Sequence, residues 1–171
     1  KYCSVGTDNI RGGKRATAHL ARLGRRRIAF FGDMEAPEIR QRYDGYKQAL
    51  EEAGLPLDAE LVVPAHFEIE SAEAAIDALL SKGIKFDAVF GSSDTIALGA
   101  IRGVMRRGIR VPEDVAIIGY DDIQLAKYSR PALTTIRQDL AKAGRLMVSK
   151  LLNSSGGGEM ISERLPTDVI I

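Results

Sequence analysis

Three stretches of the chain are almost continuously apolar: Ile-Ala-Phe-Phe-Gly at 28–32, Asp-Ala-Val-Phe-Gly at 87–91 and Val-Ala-Ile-Ile-Gly-Tyr at 115–120. A half-exposed strand alternates apolar and polar residues, so short unbroken runs closed by glycine or polar residues predict strands buried on both faces. Leu61-Val62-Val63 is a weaker fourth strand. Thr134-Thr135-Ile136 and Asp168 to Ile171, β-branched or apolar and short, predict a fifth and a sixth.

Between these runs the period changes. Tyr43, Tyr46, Leu50 and Ala53 step by three, four and three, which places them on one face of a helix stopped by Gly54 and Pro56. Leu98, Ile101 and Met105 repeat the pattern before Gly108. Segments 11–23, 71–82 and 139–152 also read as helices, with Gly24 and Gly83 as C-caps and Ser71 as an N-cap. Asn153 to Gly158 reads as an exposed loop. Strands separated by helical crossovers run parallel, and right-handed crossovers put helices on both faces. The expected fold is therefore α/β, a three-layer, doubly wound, mostly parallel sheet.

The composition, 45% hydrophobic and 27% charged over 171 residues, is that of a globular chain with one main core. Twenty-four Lys and Arg against 23 Asp and Glu leave a net charge of +1, too little for the basic field of an autonomous nucleic-acid binder. The run Arg25-Arg26-Arg27 follows a helix C-terminus and reads as a solvated, dipole-favoured cap rather than a phosphate patch. One cysteine, Cys3, allows no intrachain disulfide and no cysteine-rich zinc site. No apolar run approaches the roughly 18 residues that a membrane span requires. The chain starts at Lys1 and runs straight into Tyr2-Cys3-Ser4-Val5, which reads as the middle of a longer protein.

In open parallel sheets ligands bind beyond the carboxyl ends of the strands. Those positions are polar here: Asp33, Arg40 and Arg42 after the first run, His66 and Phe67 after the weak strand, Ser92, Ser93 and Asp94 after the second run, and Asp121 and Asp122 after the third. No Walker A loop, Gly-x-Ser-x-Gly elbow or His-Glu-x-x-His motif is spelled out. His19, mid-helix beside Leu20, reads as a packing histidine. Asp121 and Asp122 admit three readings: a Mg2+ or acid–base pair, a turn cap beside a solvated carboxylate, or an acceptor for a ligand hydroxyl. Arg42 can offer its fork to adjacent hydroxyls or a carboxylate, or pair with Glu38 on the surface. Phe67, flanked by His66 and Glu68, either covers the core or stacks on a flat ligand face.

Several motifs in this order resemble the effector domain of the lac repressor family. They are Asp8-Asn9, Leu23-Gly24-Arg25-Arg26-Arg27-Ile28-Ala29, Arg42-Tyr43-Asp44-Gly45-Tyr46, Ser93-Asp94-Thr95-Ile96-Ala97-Leu98-Gly99-Ala100, Val111-Pro112-Glu113-Asp114-Val115, Gly119-Tyr120-Asp121-Asp122 and Leu133-Thr134-Thr135-Ile136-Arg137-Gln138. The resemblance implies a type I periplasmic binding protein-like fold, mainly its C-terminal lobe at 8–138. A helix and strand at 139–171 would belong to an otherwise missing N-terminal lobe, and the DNA-binding headpiece is outside the chain. It also implies a cytoplasmic, dimeric, non-enzymatic regulator that needs no cofactor or metal, with a sugar-like effector controlling operator binding through that headpiece. The implied effector contacts are Arg42, Phe67, Ser93, Asp121 and Gln138. Ser93 departs from the family's usual asparagine. Leu98, Ile101 and Met105 are either part of a dimer interface or core. A periplasmic-type sugar carrier and a small Mg-dependent α/β enzyme using Asp121 and Asp122 are the alternative functions.

Overall fold

The computed structural model describes residues 4–154 and 162–171. Its main body is a six-stranded sheet of β2 (Ile28–Phe31), β3 (Val62–Val63), β4 (Ala88–Gly91), β5 (Ala116–Asp121), β6 (Thr134–Gln138) and β8 (Thr167–Ile170), in the spatial order β3-β2-β4-β5-β6-β8. All neighbours are parallel except β8, which runs antiparallel to β6. A second, two-stranded parallel sheet pairs β1 (Val5–Thr7) with β7 (Glu163–Leu165).

The unbroken apolar runs are strands covered on both sides, as expected. Ile28 and Phe30 point to one layer with Ala88, Phe90, Ala116 and Ile118, where they meet Leu20 of α1 (Asn9–Arg22) and Tyr46 of α2 (Pro37–Glu52). Ala29 and Phe31 point the other way with Val89 and Ile117, toward Ile76 of α3 (Ile69–Ser81) and Val104 of α4 (Asp94–Arg106). The two-residue period of each strand thus feeds two cores, one per face. The helices α1 and α2 cross at backbone contact: a Cβ on Gly13 would collide with the Arg42 carbonyl, and one on Gly45 with the Ile10 carbonyl. That close crossing brings Arg42 over the strand tips. Gly24 and Gly83, at φ +84° and +69°, end α1 and α3 in the left-handed conformation that glycine adopts at least cost.

Four expectations change. Ser71 is not an N-cap, because α3 begins two residues earlier; its hydroxyl instead accepts the His66 N–H at 2.9 Å and ties down the preceding loop. The arginine run is a set of loop ties. Arg25 donates to the carbonyls of Pro112 and Glu113, the Arg26 and Arg27 amides donate to Asp87, and Arg27 pairs with Asp58 at 3.0 Å. The last strand does not leave the main body. It closes the sheet edge beside β6, so a boundary at 138 does not hold for β8, while among the described residues the strands β1 and β7 form the separate sheet and α6 (Leu140–Ser154) lies against β1. Of the expected loop at 153–158, residues 153 and 154 end α6 and the rest lies outside the described residues. The strands β1 and β7 and the short helix α5 (Gln124–Tyr128) are too brief to leave a periodic signal.

Candidate functional site

The strand order reverses between β2 and its neighbours β3 and β4, and the polar loops gather at the carboxyl edge where that reversal opens the sheet. Arg42 lies at its centre, 5% exposed. Its guanidinium stacks on the Tyr120 ring, 3.7 Å from the centroid, donates to Asn9 Oδ1 at 3.0 Å and to the Ser92 carbonyl at 2.5 Å, and faces Asp121 Oδ1 at 3.6 Å. The surface pair with Glu38 is therefore not what holds it.

Asp121 closes β5 and connects Arg42 to Gln138. Gln138 Nε2 donates to Asp121 Oδ1 at 2.5 Å, and Gln138 Oε1 accepts from the Thr7 hydroxyl at 2.7 Å. Burial pushes the Asp121 carboxyl up from its ordinary range, while Arg42 and Gln138 pull the other way. The chain Thr7–Gln138–Asp121–Arg42–Asn9 is thus a continuous run of donors and acceptors along the carboxyl edge. An open cavity of about 530 Å³ adjoins it, lined by Asp121, Asp122, Arg137, Gln138, Asp139 and Asp168 among others.

Asp122 behaves differently from its neighbour. It pairs with Arg137 at 2.6 Å and not with Arg42. Among the described residues no group of three His, Cys, Asp or Glu side chains is placed to hold a metal ion. Neither carboxylate caps the following turn; that role falls to Asp94, whose Oδ2 accepts the Ile123 N–H at 2.8 Å.

The other sequence-predicted residues separate into two groups. Ser93 is fully buried and is the N-cap of α4, its Oγ accepting from the Ile96 N–H at 3.3 Å, so it supports a helix start. Phe67, in the loop after β3 on the same edge of the sheet, is 61% exposed and covers no core. Nearby, His66 pairs with Asp33 at 3.4 Å, and Arg40 donates to the carbonyls of Met34 and Glu35. On α4, Leu98 and Ile101 belong to the core, and Met105 alone of that trio is exposed. His19 is half-buried, and its pKa is lowered first by burial and then by Arg22, in keeping with a packing histidine.

Thr7 and Asn9 join the site without a strong sequence signal. Asp8 marks a helix start by capping Arg11 at 3.0 Å, and Asn9 follows it into the first turn. Only the packing of α1 against α2 shows that its amide meets Arg42.

The periplasmic binding protein-like domain family matches residues 17–171. The ribose operon repressor of Haemophilus influenzae is 42% identical over 142 residues, which is 82% of this chain and 43% of the repressor. A LacI-family transcriptional regulator from Enterococcus faecium, solved with bound ribose, superposes with a TM-score of 0.91 at 33% identity and covers 99% of this chain and 64% of its own. The transcriptional regulator CelR in its cellobiose complex does so with a TM-score of 0.92 at 36% identity, covering 99% of this chain and 53% of its own. The chain spans less than half the length of the ribose operon repressor. With the doubly wound body and the polar edge already in place, these matches show that the chain belongs to the periplasmic binding protein-like domain family, in its LacI-type transcriptional-regulator branch.

Proposed function

We propose that the chain is the ligand-sensing part of a cytoplasmic transcriptional regulator and that its effector is a sugar or a close derivative. The observation that carries this reading is the Gln138–Asp121–Arg42 chain, in which Gln138 and Asp121 line an open cavity and Arg42 stands directly behind Asp121. Vicinal hydroxyls both donate and accept, so an arginine fork beside a carboxylate and an amide complements them without any change in protonation. Phe67 supplies the exposed flat apolar surface on which a sugar ring stacks. Ribose and cellobiose, the ligands of two structural relatives, are the first candidates.

The action is allosteric rather than catalytic. A ligand held by one lobe and closed upon by a second changes the balance of lobe orientations only by its difference in affinity for them, and in a dimer that balance sets the spacing of DNA-binding headpieces. Met105 is the exposed apolar residue of α4 available to a dimer contact. The Mg-dependent reading loses support because Asp121 and Asp122 turn to separate arginines.

The test is a thermal-shift panel of sugars and sugar acids on the full chain, repeated with Arg42→Ala and Asp121→Ala. Ligand binding to the folded state stabilises it by about 3 kcal/mol at a hundredfold excess over Kd and so raises Tm. A shift lost in both variants supports the site. A shift that survives both overturns the assignment.

A further inference from the structure

Asp94 touches none of the groups proposed to meet the ligand, yet it is fully buried where they are held. It is the first residue of α4, and its two carboxylate oxygens have separate partners. Oδ1 accepts from the Thr135 hydroxyl of β6 at 2.5 Å, and Oδ2 accepts the Ile123 N–H at 2.8 Å. The Thr135 oxygen in turn accepts the Asp122 N–H at 3.3 Å. One carboxylate therefore secures both amides that follow Asp121, one directly and one through a hydroxyl.

Those amides belong to an unusual piece of backbone. Asp121 and Asp122 have φ of 113° and 58°, two consecutive side-chain-bearing residues in a region that favours glycine. Each such residue resists its conformation and persists only where its surroundings impose it. This turn brings Asp121 to Arg42 and Gln138 and Asp122 to a different partner, Arg137. Gly119, opposite the carboxylate, leaves the room for it: a Cβ there would collide with Asp94 Oδ1.

We infer that Asp94 is a positioning residue for the ligand site, clamping the 121–123 turn through Ile123 and Thr135 so that the Asp121 carboxylate is presented beside Arg42. The inference rests on the proposed effector reading for its consequence in binding, but its structural half can be measured without a ligand. Isoelectronic replacement separates the clamp from the charge. In Asp94→Asn the amide oxygen still accepts from Ile123 and the NH2 group can donate to Thr135, so the turn is kept.

The experiment compares the wild-type full chain with Asp94→Ala, Asp94→Asn, Thr135→Val, Asp121→Ala and the Asp94→Ala/Asp121→Ala double variant. Amide exchange is read at Asp122 and Ile123 with Ile117 and Ile118 as internal controls, and ribose and cellobiose binding by calorimetry. Asp94→Ala and Thr135→Val are expected to speed exchange at 122 and 123 by about tenfold or more over the strand controls, with Asp94→Asn close to wild type. Sugar affinity falls in Asp94→Ala about as far as in Asp121→Ala, and the double variant falls no further. Uniform acceleration along β5 would mean that Asp94 supports the fold alone and would overturn the inference. So would additive losses in the double variant, or an Asp94→Ala that binds like wild type with a loosened turn. If Asp94→Ala fails to fold, Thr135→Val and the Asp94→Asn rescue decide by the same exchange criterion. If Asp121→Ala leaves sugar binding intact, or neither sugar binds, the effector reading fails; local exchange at 122 and 123 still upholds the clamp, and uniform exchange overturns it.

Discussion

Helices α4 and α6 carry comparable apolar stripes and end in opposite circumstances. On α4, Leu98, Ile101 and Val104 are buried between the sheet and α3. On α6, Leu140, Met147, Val148, Leu151 and Leu152 are each more than half exposed, and β1 is the element it packs on most. Amphipathic periodicity states that a face can be buried. What buries it is supplied by other elements, and in the six-stranded body those elements lie within the described chain. The carboxyl edge shows the same contrast on a smaller scale: Arg42 is locked by three polar partners and the Tyr120 ring, whereas Phe67, in a loop on that edge, projects into solvent.

Equal truncations in the two regions are expected to differ most. Phe30→Ala, which removes a fully buried ring that meets Tyr43, Tyr46 and Phe90, is expected to cost about 3–5 kcal/mol in urea unfolding. Met147→Ala on the exposed face of α6 is expected to change stability by less than about 1 kcal/mol. Similar losses from the two would show that α6 is packed in solution.

Arg42→Ala should follow in size. It leaves Asn9 and the Ser92 carbonyl without their donor and Asp121 without its cation, for a loss of about 2–4 kcal/mol in the same assay. Arg42→Lys cannot restore both the stack on Tyr120 and the fork, and should recover less than half of it.

Asp94 makes the stability of the buried carboxyl edge depend on pH. Burial, with lesser contributions from the Asp121 and Asp122 charges, raises its pKa to about 6, and the bonds from Thr135 and Ile123 only partly offset this. A carboxyl whose pKa is higher folded than unfolded adds stability below its unfolded value and loses it as pH rises through the folded one. Its contribution is therefore present below about pH 4 and gone above about pH 6, a change of roughly 3 kcal/mol. Asp94→Asn should flatten that slope when unfolding free energy is measured from pH 4 to pH 7. An unchanged slope would place the titration elsewhere.

Phe67→Ala should have the smallest effect on stability, within about 0.5 kcal/mol, because the ring covers no core. In the same variant sugar affinity should fall by about tenfold if the ring stacks on the ligand. Loss of stability with unchanged affinity would reverse the reading of this loop.

The sequence by itself determined the α/β class, the doubly buried strands and the helix ends at Gly24 and Gly83, because these depend on local periodicity and on backbone conformations few residues adopt. It also pointed to Arg42 and Asp121, which stand beside an apolar stripe and at a strand end, whereas Gln138 entered only through the resemblance to the lac repressor family. Only the tertiary structure decided what each polar residue does. Ser93 and Asp94 are neighbours of similar appearance in the chain, yet one caps its own helix and the other reaches across to β6 and the 121–123 turn. The place of β8 was decided in the same way, since an antiparallel edge strand and a strand leaving for another lobe share one short apolar pattern. The Asp94 bonds and the β6–β8 pairing join residues more than 20 apart, and nothing in a local pattern encodes which distant donor meets which acceptor.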